Sequence, residues 1–453
     1  MVAPKTPSNT RVACRTRTIV RSLGAALLLG LMTVRLFGGG NRSTSPLELY
    51  DATIFEQHGR GNATTKTTTT TGGSPTPVAP SSHSVSSSFV VLKEDDLPPA
   101  PSFNQTDFEI EYFTSMPECT PLKPSDVSFT LVTQLSTDRL WIMKHQCERW
   151  PSPLPMAISI YLPPHAQPQM PTEIRTRLED ELACDLTRMH VTLFQASPRS
   201  TLDQYPVNTL RNLALQSIRT SHAAYIDSDF LISEGLQDDL LLATTHVVAN
   251  DTKAALVMPA FDYVPDCQFQ KQKQKQQQEI MACLQAEWDR IPKRHSDLVA
   301  LLDRKERPRV NRGFQSVHGK NKYHGTTMYK TWIQNQSSII SIPCIKTPTY
   351  EPYLAVRVCR DLPKFPEIFK GWGYNKITWI KILLKKLGYR LWQVPRGFVM
   401  HLPHEPSVSR KSNADGHPPE FDAYLDWLGR LPTHPEALPH CVDWKQEHGP
   451  LQN

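Results

Sequence analysis

The chain has 453 residues, and its 50 Lys and Arg against 44 Asp and Glu leave a net charge of +6. The basic residues are dispersed, with no Lys/Arg stripe interleaved with aromatics, which argues against a nucleic-acid partner. Once a non-globular N-terminal stretch is set aside, roughly 330 residues are left for folding, enough for one large domain with a sizeable core.

Near the N-terminus the chain reads RVACRTRTIVRSLGAALLLGLMTVRLFGGG. Arg11, Arg15, Arg17 and Arg21 precede the apolar run 22–34, which is short against the ~20 residues of a membrane span. If Arg21 and Arg35 snorkel to opposite interfaces, residues 18–39 become long enough. We therefore expect a cytoplasmic tail at 1–17, a signal anchor at 18–39 and a lumenal remainder, because basic flanks stay in the cytoplasm. A cleaved signal peptide is the competing reading; the long basic flank and the poor cleavage site in VRLFGGG weigh against it. Residues 40–120 read as a stem: NATTKTTTTTGGSPTPVAPSSHSVSSS is too poor in apolar residues to offset its ordering entropy. Of nine cysteines, Cys14 would face the cytosol. The other eight lack CxxC spacing and fit disulfides in an oxidising lumen, with the pairing open. Acceptor tripeptides for N-glycosylation begin at Asn41, Asn62, Asn104, Asn250 and Asn335.

The rest alternates strands and helices. VSFTLVTQL (127–135), MAISIYL (156–162) and VTLFQ (191–195) read as strands, with helices over TDRLWIMKHQCERW and near 171–185. In YPVNTLRNLALQSIRT, Val207, Leu210, Leu213, Ala214 and Ile218 recur at helical spacing, and Pro206 suits the first turn. AAYI then ends in Asp227, Ser228 and Asp229. AALVMPAF (254–261) is a further strand, followed by a Gln/Lys-rich stretch at 267–310 that reads as a solvated helical insertion. NKITWIKILLKKLG reads as a helix stopped by Gly388, YRLWQV and GFVMHL as two late strands, and PPEFDAYLDWLGRL lies in a polar tail. Strands alternating with helices predict an α/β fold with a mostly parallel sheet, whose ligands bind at the carboxyl ends of its strands. Asp227 and Asp229 fall there.

Two carboxylates that close repel, so they persist if exposed, paired or holding a cation. An Asp-x-Asp after a buried strand is how nucleotide-sugar transferases hold a divalent ion, although the tripeptide alone is equally an Asx-turn at a strand end. Hard oxygen ligands with one imidazole suit Mn²⁺, then Mg²⁺.

The blocks YPVNTLRNLAL, HGTTMYKTW, YEPY, GWGYNK and GFVMHLPHEPS follow in an order that resembles glycosyltransferase family 49, the family of the LARGE-type glucuronyltransferase domain and the β-1,4-glucuronyltransferase of the dystroglycan pathway. The resemblance runs over 127–407, with no second transferase domain. It implies a GT-A-type nucleotide-diphospho-sugar transferase at 121–445, lumenal in the Golgi as a single-pass type II protein. The implied reaction is a metal-dependent, inverting transfer of glucuronic acid from UDP-glucuronate to a glycan or glycoprotein acceptor. UDP-xylose, UDP-galactose and UDP-N-acetylglucosamine are alternative donors, and a lectin-like protein without catalysis is the reading from another class. Asp227, Asp229 and His401 match the implied metal ligands, with His404 ranked behind them. Asn208, Arg211, Asn212, Asp227 and Ser228 match the donor-binding positions, Arg211 being able to offer two hydrogen bonds to phosphate or carboxylate. The Gly-rich turn departs from the usual Glu-Asp by carrying Asn375 and Lys376, so the general base falls to Glu351 or Asp361, with Glu367 a further alternative. Trp372 and Tyr374 could stack an acceptor sugar.

Overall fold

The computed structural model describes residues 88–97, 108–200, 205–244, 247, 250–265, 276–302, 310–312, 323–334, 337–371, 373–402, 404 and 419–443. The expected tail, the anchor at 18–39 and most of the stem lie outside them. Among the described residues no helix is long and apolar enough to cross a membrane.

Among the described residues, thirteen strands build two sheets. They are β1 (Ser88–Lys93), β2 (Phe129–Ser136), β3 (Met156–Leu162), β4 (Met189–Gln195), β5 (His222–Tyr225), β6 (Phe230–Ile232), β7 (Ala254–Met258), β8 (Ala260–Tyr263), β9 (Val310–Arg312), β10 (Ile340–Ile342), β11 (Tyr353–Arg357), β12 (Arg390–Gln393) and β13 (Val399–His401). The main sheet has the order β1-β4-β3-β2-β5-β11-β7-β12-β10, and the small one β6-β13-β8-β9. From β1 to β5 the neighbours are parallel, while β11 is antiparallel to both β5 and β7. Every residue of β3 is buried, as an unbroken apolar run in a covered parallel sheet requires. One face packs Leu131, Ile158 and Leu193 under Leu140, Met143 and Trp150. The other packs Val132, Tyr225 and Val356 under Phe365, Trp379 and Leu383. Each such fully buried side chain contributes about 1.5–3 kcal/mol.

The strands and helices of the central alternation lie where the hydrophobic pattern predicts them. Three segments differ from expectation. Ser88–Lys93, assigned to the stem, pairs in parallel with β4 as the edge of the main sheet. Phe108 and Phe113 enter the core, and Cys119 is bonded to Cys359, so the folded part begins before residue 121. A six-residue edge strand with Val90 and Val91 each 42% exposed has little to distinguish it from the Ser-rich tether before it. In the expected insertion, helices Gln276–Glu287 and His295–Leu302 bury Leu284, Ile291 and Leu298 against Phe261, Trp332 and Phe398, so it is anchored rather than merely solvated. The tail segment is the helix Pro419–Arg430, whose Phe421, Tyr424 and Leu428 close over Phe108, Phe369 and Ile382.

Further disulfides join Cys147 to Cys184 and Cys344 to Cys441. The last of them ties the C-terminal segment to the strand region near β10.

Candidate active site at the junction of the two sheets

Three main-sheet strands run on into the small sheet: β5 into β6, β7 into β8 across Pro259, and β12 into β13. The short link between β5 and β6 holds Asp227, Ser228 and Asp229. Small-sheet register sets His401 opposite Phe230 on one side and Asp262 on the other. Leu402 N–H donates to the Asp229 carbonyl at 3.0 Å, drawing the end of β13 to the second aspartate. The two carboxylates are thus one residue apart but belong to different surroundings.

Asp227 is saturated. Its Oδ1 accepts from Arg211 Nη2 (2.9 Å) and the Tyr225 hydroxyl (2.5 Å). Its Oδ2 accepts from Lys376 Nζ (2.8 Å) and the Tyr353 hydroxyl (2.9 Å). Burial opposes its charge, yet Lys376 and Arg211 outweigh burial and hold the carboxyl far below the usual carboxylate range. Lys376 Nζ also lies 3.2 Å from Glu351 Oε1 and 3.8 Å above the Tyr353 ring. This lysine, 2% exposed, bridges two carboxylates. Its placement comes from the turn before it, where Gly371, Gly373 and Tyr374 all take positive φ and deliver Asn375–Lys381 as a helix aimed at the site. Tyr353, ringed by Asp227, Asp229 and Glu351 as well as buried, has its phenol pushed well above its ordinary range.

Asp229 has imidazole partners instead. Its Oδ2 is 2.8 Å from His404 Nε2 and 3.8 Å from His401 Nε2. Burial resists its charge, but the two histidines prevail and pull the carboxyl down to about 2. His401 Nδ1 lies 2.9 Å from Asp262 Oδ1. That contact and the charge of Asp229 overcome burial and raise the His401 pKa. An Asp262 acceptor on Nδ1 leaves His401 Nε2 directed at Asp229, the orienting arrangement typical of ligating histidines.

Asp229, His401 and His404 each offer one ligand atom, and these atoms lie within 4.8 Å of one another. Asp229 Oδ1 is buried without a hydrogen-bond partner. A buried, orphaned carboxylate oxygen beside two imidazoles is what a divalent cation satisfies, so the residues present fit one. The expected ligand set therefore differs from the gathered one: His404 joins Asp229 and His401, while both Asp227 oxygens are taken by Arg211, Lys376 and two tyrosines.

The structure brings together most of the remaining expected residues. Arg211 is buried, bonded to Asp227, Tyr225, Asn208 and Asn375. Asn208 and Asn212 face away from the opening: their amides hold the Pro366 and Phe365 carbonyls, and Asn212 also donates to Glu367. They clamp the segment 365–367 to the helix Val207–Gln216, and Glu367 is consumed there by Asn212 and Thr209. Ser228 is half-buried between the two aspartates. Glu351 borders the site through Lys376. Asp361 does not: β11 is antiparallel to β5, with Leu354 beside Tyr225 and Arg357 beside His222, so Asp361 lies past the opposite end of the sheet. It lines a separate cavity of about 450 Å³ with Tyr112, Lys253 and Arg360. Tyr374 is 40% exposed, and Trp372 is outside the described residues. Sequence reasoning missed Tyr225, Tyr353 and Asp262, and noticed Lys376 as a departure without giving it a role. YEPY and GWGYNK carried a signal for two of these; AFDY carried none for Asp262.

Residues 155–415 match the family model described as "Glycosyl-transferase for dystroglycan". The xylosyl- and glucuronyltransferase LARGE2 of Homo sapiens is 29% identical over 338 residues, 74% of this chain and 41% of that protein. LARGE2s of Gallus gallus is 28% identical over 284 residues, 63% of this chain and 33% of the relative. The chain thus spans about a third to two fifths of the length of these curated relatives. A crystal structure of S. aureus TarS in complex with UDP-GlcNAc aligns with a TM-score of 0.33 and 10% identity, covering 66% of this chain and 64% of that one.

Proposed function

Because this chain belongs to the glycosyl-transferase family for dystroglycan, we propose that it is a metal-dependent, inverting glycosyltransferase of GT-A type. In this reading it moves glucuronic acid from UDP-glucuronate to a glycan or glycoprotein acceptor in the Golgi lumen. The observation that carries the reading is the Asp229, His401 and His404 cluster with the orphaned Asp229 Oδ1, set at the carboxyl end of β5. Those three side chains would hold the ion, and one carboxylate with imidazoles favours Mn²⁺ over Mg²⁺. When bound, the ion supplies a Lewis acid that takes up negative charge on a departing diphosphate.

The protein's own groups set up the rest. Asp262 fixes the His401 ring. Arg211 and Lys376 keep Asp227 ionised and rigid, so the β5–β6 link holds Asp229 in place. Glu351 is the carboxylate left to take the proton from an acceptor hydroxyl, with Lys376 beside it to steady the anion. Glucuronate as donor group is supported by the printed activities of the relatives, which also name xylose transfer. Disulfides such as Cys119–Cys359, Cys147–Cys184 and Cys344–Cys441 support a lumenal, oxidising compartment.

The test is UDP release by the purified full-length protein with Mn²⁺, screened over UDP-glucuronate, UDP-xylose, UDP-galactose and UDP-N-acetylglucosamine. Release from UDP-glucuronate that Asp229→Asn abolishes is expected. Release that survives chelation of all divalent metal would overturn the metal-dependent reading, and no release from any donor would favour a binding protein.

A further inference from the structure

At the amino end of β5 and the carboxyl end of β11, away from the site, a buried arginine has no counter-charge among the described residues. Arg357 is 6% exposed, and its Nε and Nη1 are buried with no hydrogen-bond partner. Burial alone depresses its basicity; no carboxylate opposes it. Other buried arginines anchor their guanidinium on acceptors: Arg149 donates to the Ile232 and Pro292 carbonyls, Arg211 to Asp227, and Arg188 to the Leu154 and Cys147 carbonyls although its Nε is orphaned. Register sets Arg357 directly beside His222, so both side chains leave the same face of the sheet. His222 is 1% exposed, and its Nε2 is likewise buried without a partner, while Nδ1 lies 2.8 Å from the Ser221 hydroxyl. The Phe129 ring covers the imidazole at 5.0 Å between centroids.

A guanidinium stays charged at any pH the protein meets, and a buried charge with orphaned donors is strongly unfavourable. Water could occupy the N–H groups but would leave the charge uncompensated. We propose that Arg357 and His222 form a binding site for a small monovalent anion, halide or compact carboxylate, at the amino end of β5 and the carboxyl end of β11. Arg357 Nε and Nη1 donate to the anion, and His222 donates from Nε2 in the tautomer whose Nδ1 accepts from the Ser221 hydroxyl, which then gives up its other acceptor, the Ser128 carbonyl. Arg357 is four residue steps along β11 from Tyr353, about 13 Å of strand. The anion therefore ties down the two strands that carry Asp227 and the Tyr353 hydroxyl without touching substrate, and its role is independent of the reaction proposed above.

The experiment is thermal unfolding of the full-length protein at fixed ionic strength, exchanging sodium gluconate, too bulky for the site, for sodium chloride or sodium formate. The expected result is a saturable rise of roughly 2–4 °C for chloride or formate at ten times its dissociation constant. That rise is lost in Arg357→Gln. Chloride alone stabilising identifies a halide site; formate matching it identifies the shared anion chemistry. A rise of equal size in Arg357→Gln, or none in the native protein, overturns the proposal. Should Arg357→Gln fail to fold, halide NMR line broadening on the native protein decides: chloride broadening that formate or bromide displaces supports the site, and its absence refutes it.

Discussion

Replacing Lys376 by Met tests the electrostatic frame of the site while keeping an apolar stem over the Tyr353 ring. Lys376 is 2% exposed, and its partners Asp227 and Glu351 are 23% and 26% exposed in their side chains. At the 2.8 Å separation from Asp227 and an effective dielectric near 20, the attraction is about 6 kcal/mol. Desolvation of both ions takes back a large share, so deleting one partner costs about 3 kcal/mol, the low end for a buried pair because Arg211 still holds Asp227. With an unfolding entropy of about 0.7 kcal/mol/K for roughly 330 residues, that lowers Tm by about 4–5 °C. Asp227→Asn should cost a similar amount alone, and the double variant should fall short of the sum by about 2–3 kcal/mol, since the Asp227–Lys376 pair can be lost only once while Arg211 and Glu351 lose their partners as in the single variants. Denaturant unfolding of the four proteins measures the cycle. Additivity within about 0.5 kcal/mol would show that Lys376 and Asp227 do not interact in solution, and the account of Asp227 as a carboxylate fixed by two cations would fail.

Other consequences can be measured separately. Asp229→Asn and His404→Ala should each weaken Mn²⁺ binding by at least about 10–100-fold, whereas Asp227→Asn should change it by less than about threefold. Electron paramagnetic resonance of free Mn²⁺ reads this, and equal losses in Asp227→Asn and Asp229→Asn would restore the joint grip expected from the Asp-x-Asp spacing. His324 has its pKa lowered to about 3 by burial and then by Lys376. Its folded value is below the unfolded value of about 6.5, so its contribution to stability is full above pH 6.5 and is lost as pH falls toward 3. Between pH 6.5 and 4.5 the native protein should lose up to about 1.4 kcal/mol per pH unit more than His324→Gln, and parallel curves would contradict a neutral buried imidazole. The Cys119–Cys359 bond spans 240 residues, so the paired Ser variant should lose about 4–5 kcal/mol by urea unfolding, and a loss under 1 kcal/mol would mean the unfolded chain is already compact. Gly388 has φ +69° and an added Cβ would meet the His434 ring at 2.3 Å. Gly388→Ala should cost about 1–2 kcal/mol from the backbone alone, plus a clash that His434→Ala removes.

Much of the fold is legible because its central strands are unbroken apolar runs and its helices keep their 3.6-residue period. The segment Val207–Gln216 shows the limit of that reading. Its apolar stripe predicted the helix, yet Asn208, Arg211 and Asn212 are also buried, and periodicity cannot say whether a buried polar side chain faces a ligand or a neighbouring backbone. Two of the three face backbone. Glu351 and Asp361 looked equivalent in sequence, ten residues apart around one strand. Only the antiparallel direction of β11 separates them, because a strand carries its two flanks to opposite ends of the sheet. Direction relative to a distant neighbour is a long-range property, and no local pattern encodes it.

The same reasoning explains why the paired aspartates sit in different surroundings. A spacing of one residue would point both side chains to one side of a continued strand, but the chain leaves the main sheet between them. Asp227 still follows the β5 axis, where Ile226 N–H donates to the Val132 carbonyl, and so meets cations supplied by the helices flanking the main sheet. Phe230 N–H turns back to the Asp227 carbonyl, and from Phe230 onward the chain follows β6, whose partner β13 supplies His401. Asp229 therefore answers to the small sheet. That division of surroundings lets one short link bear two carboxylates that still repel one another.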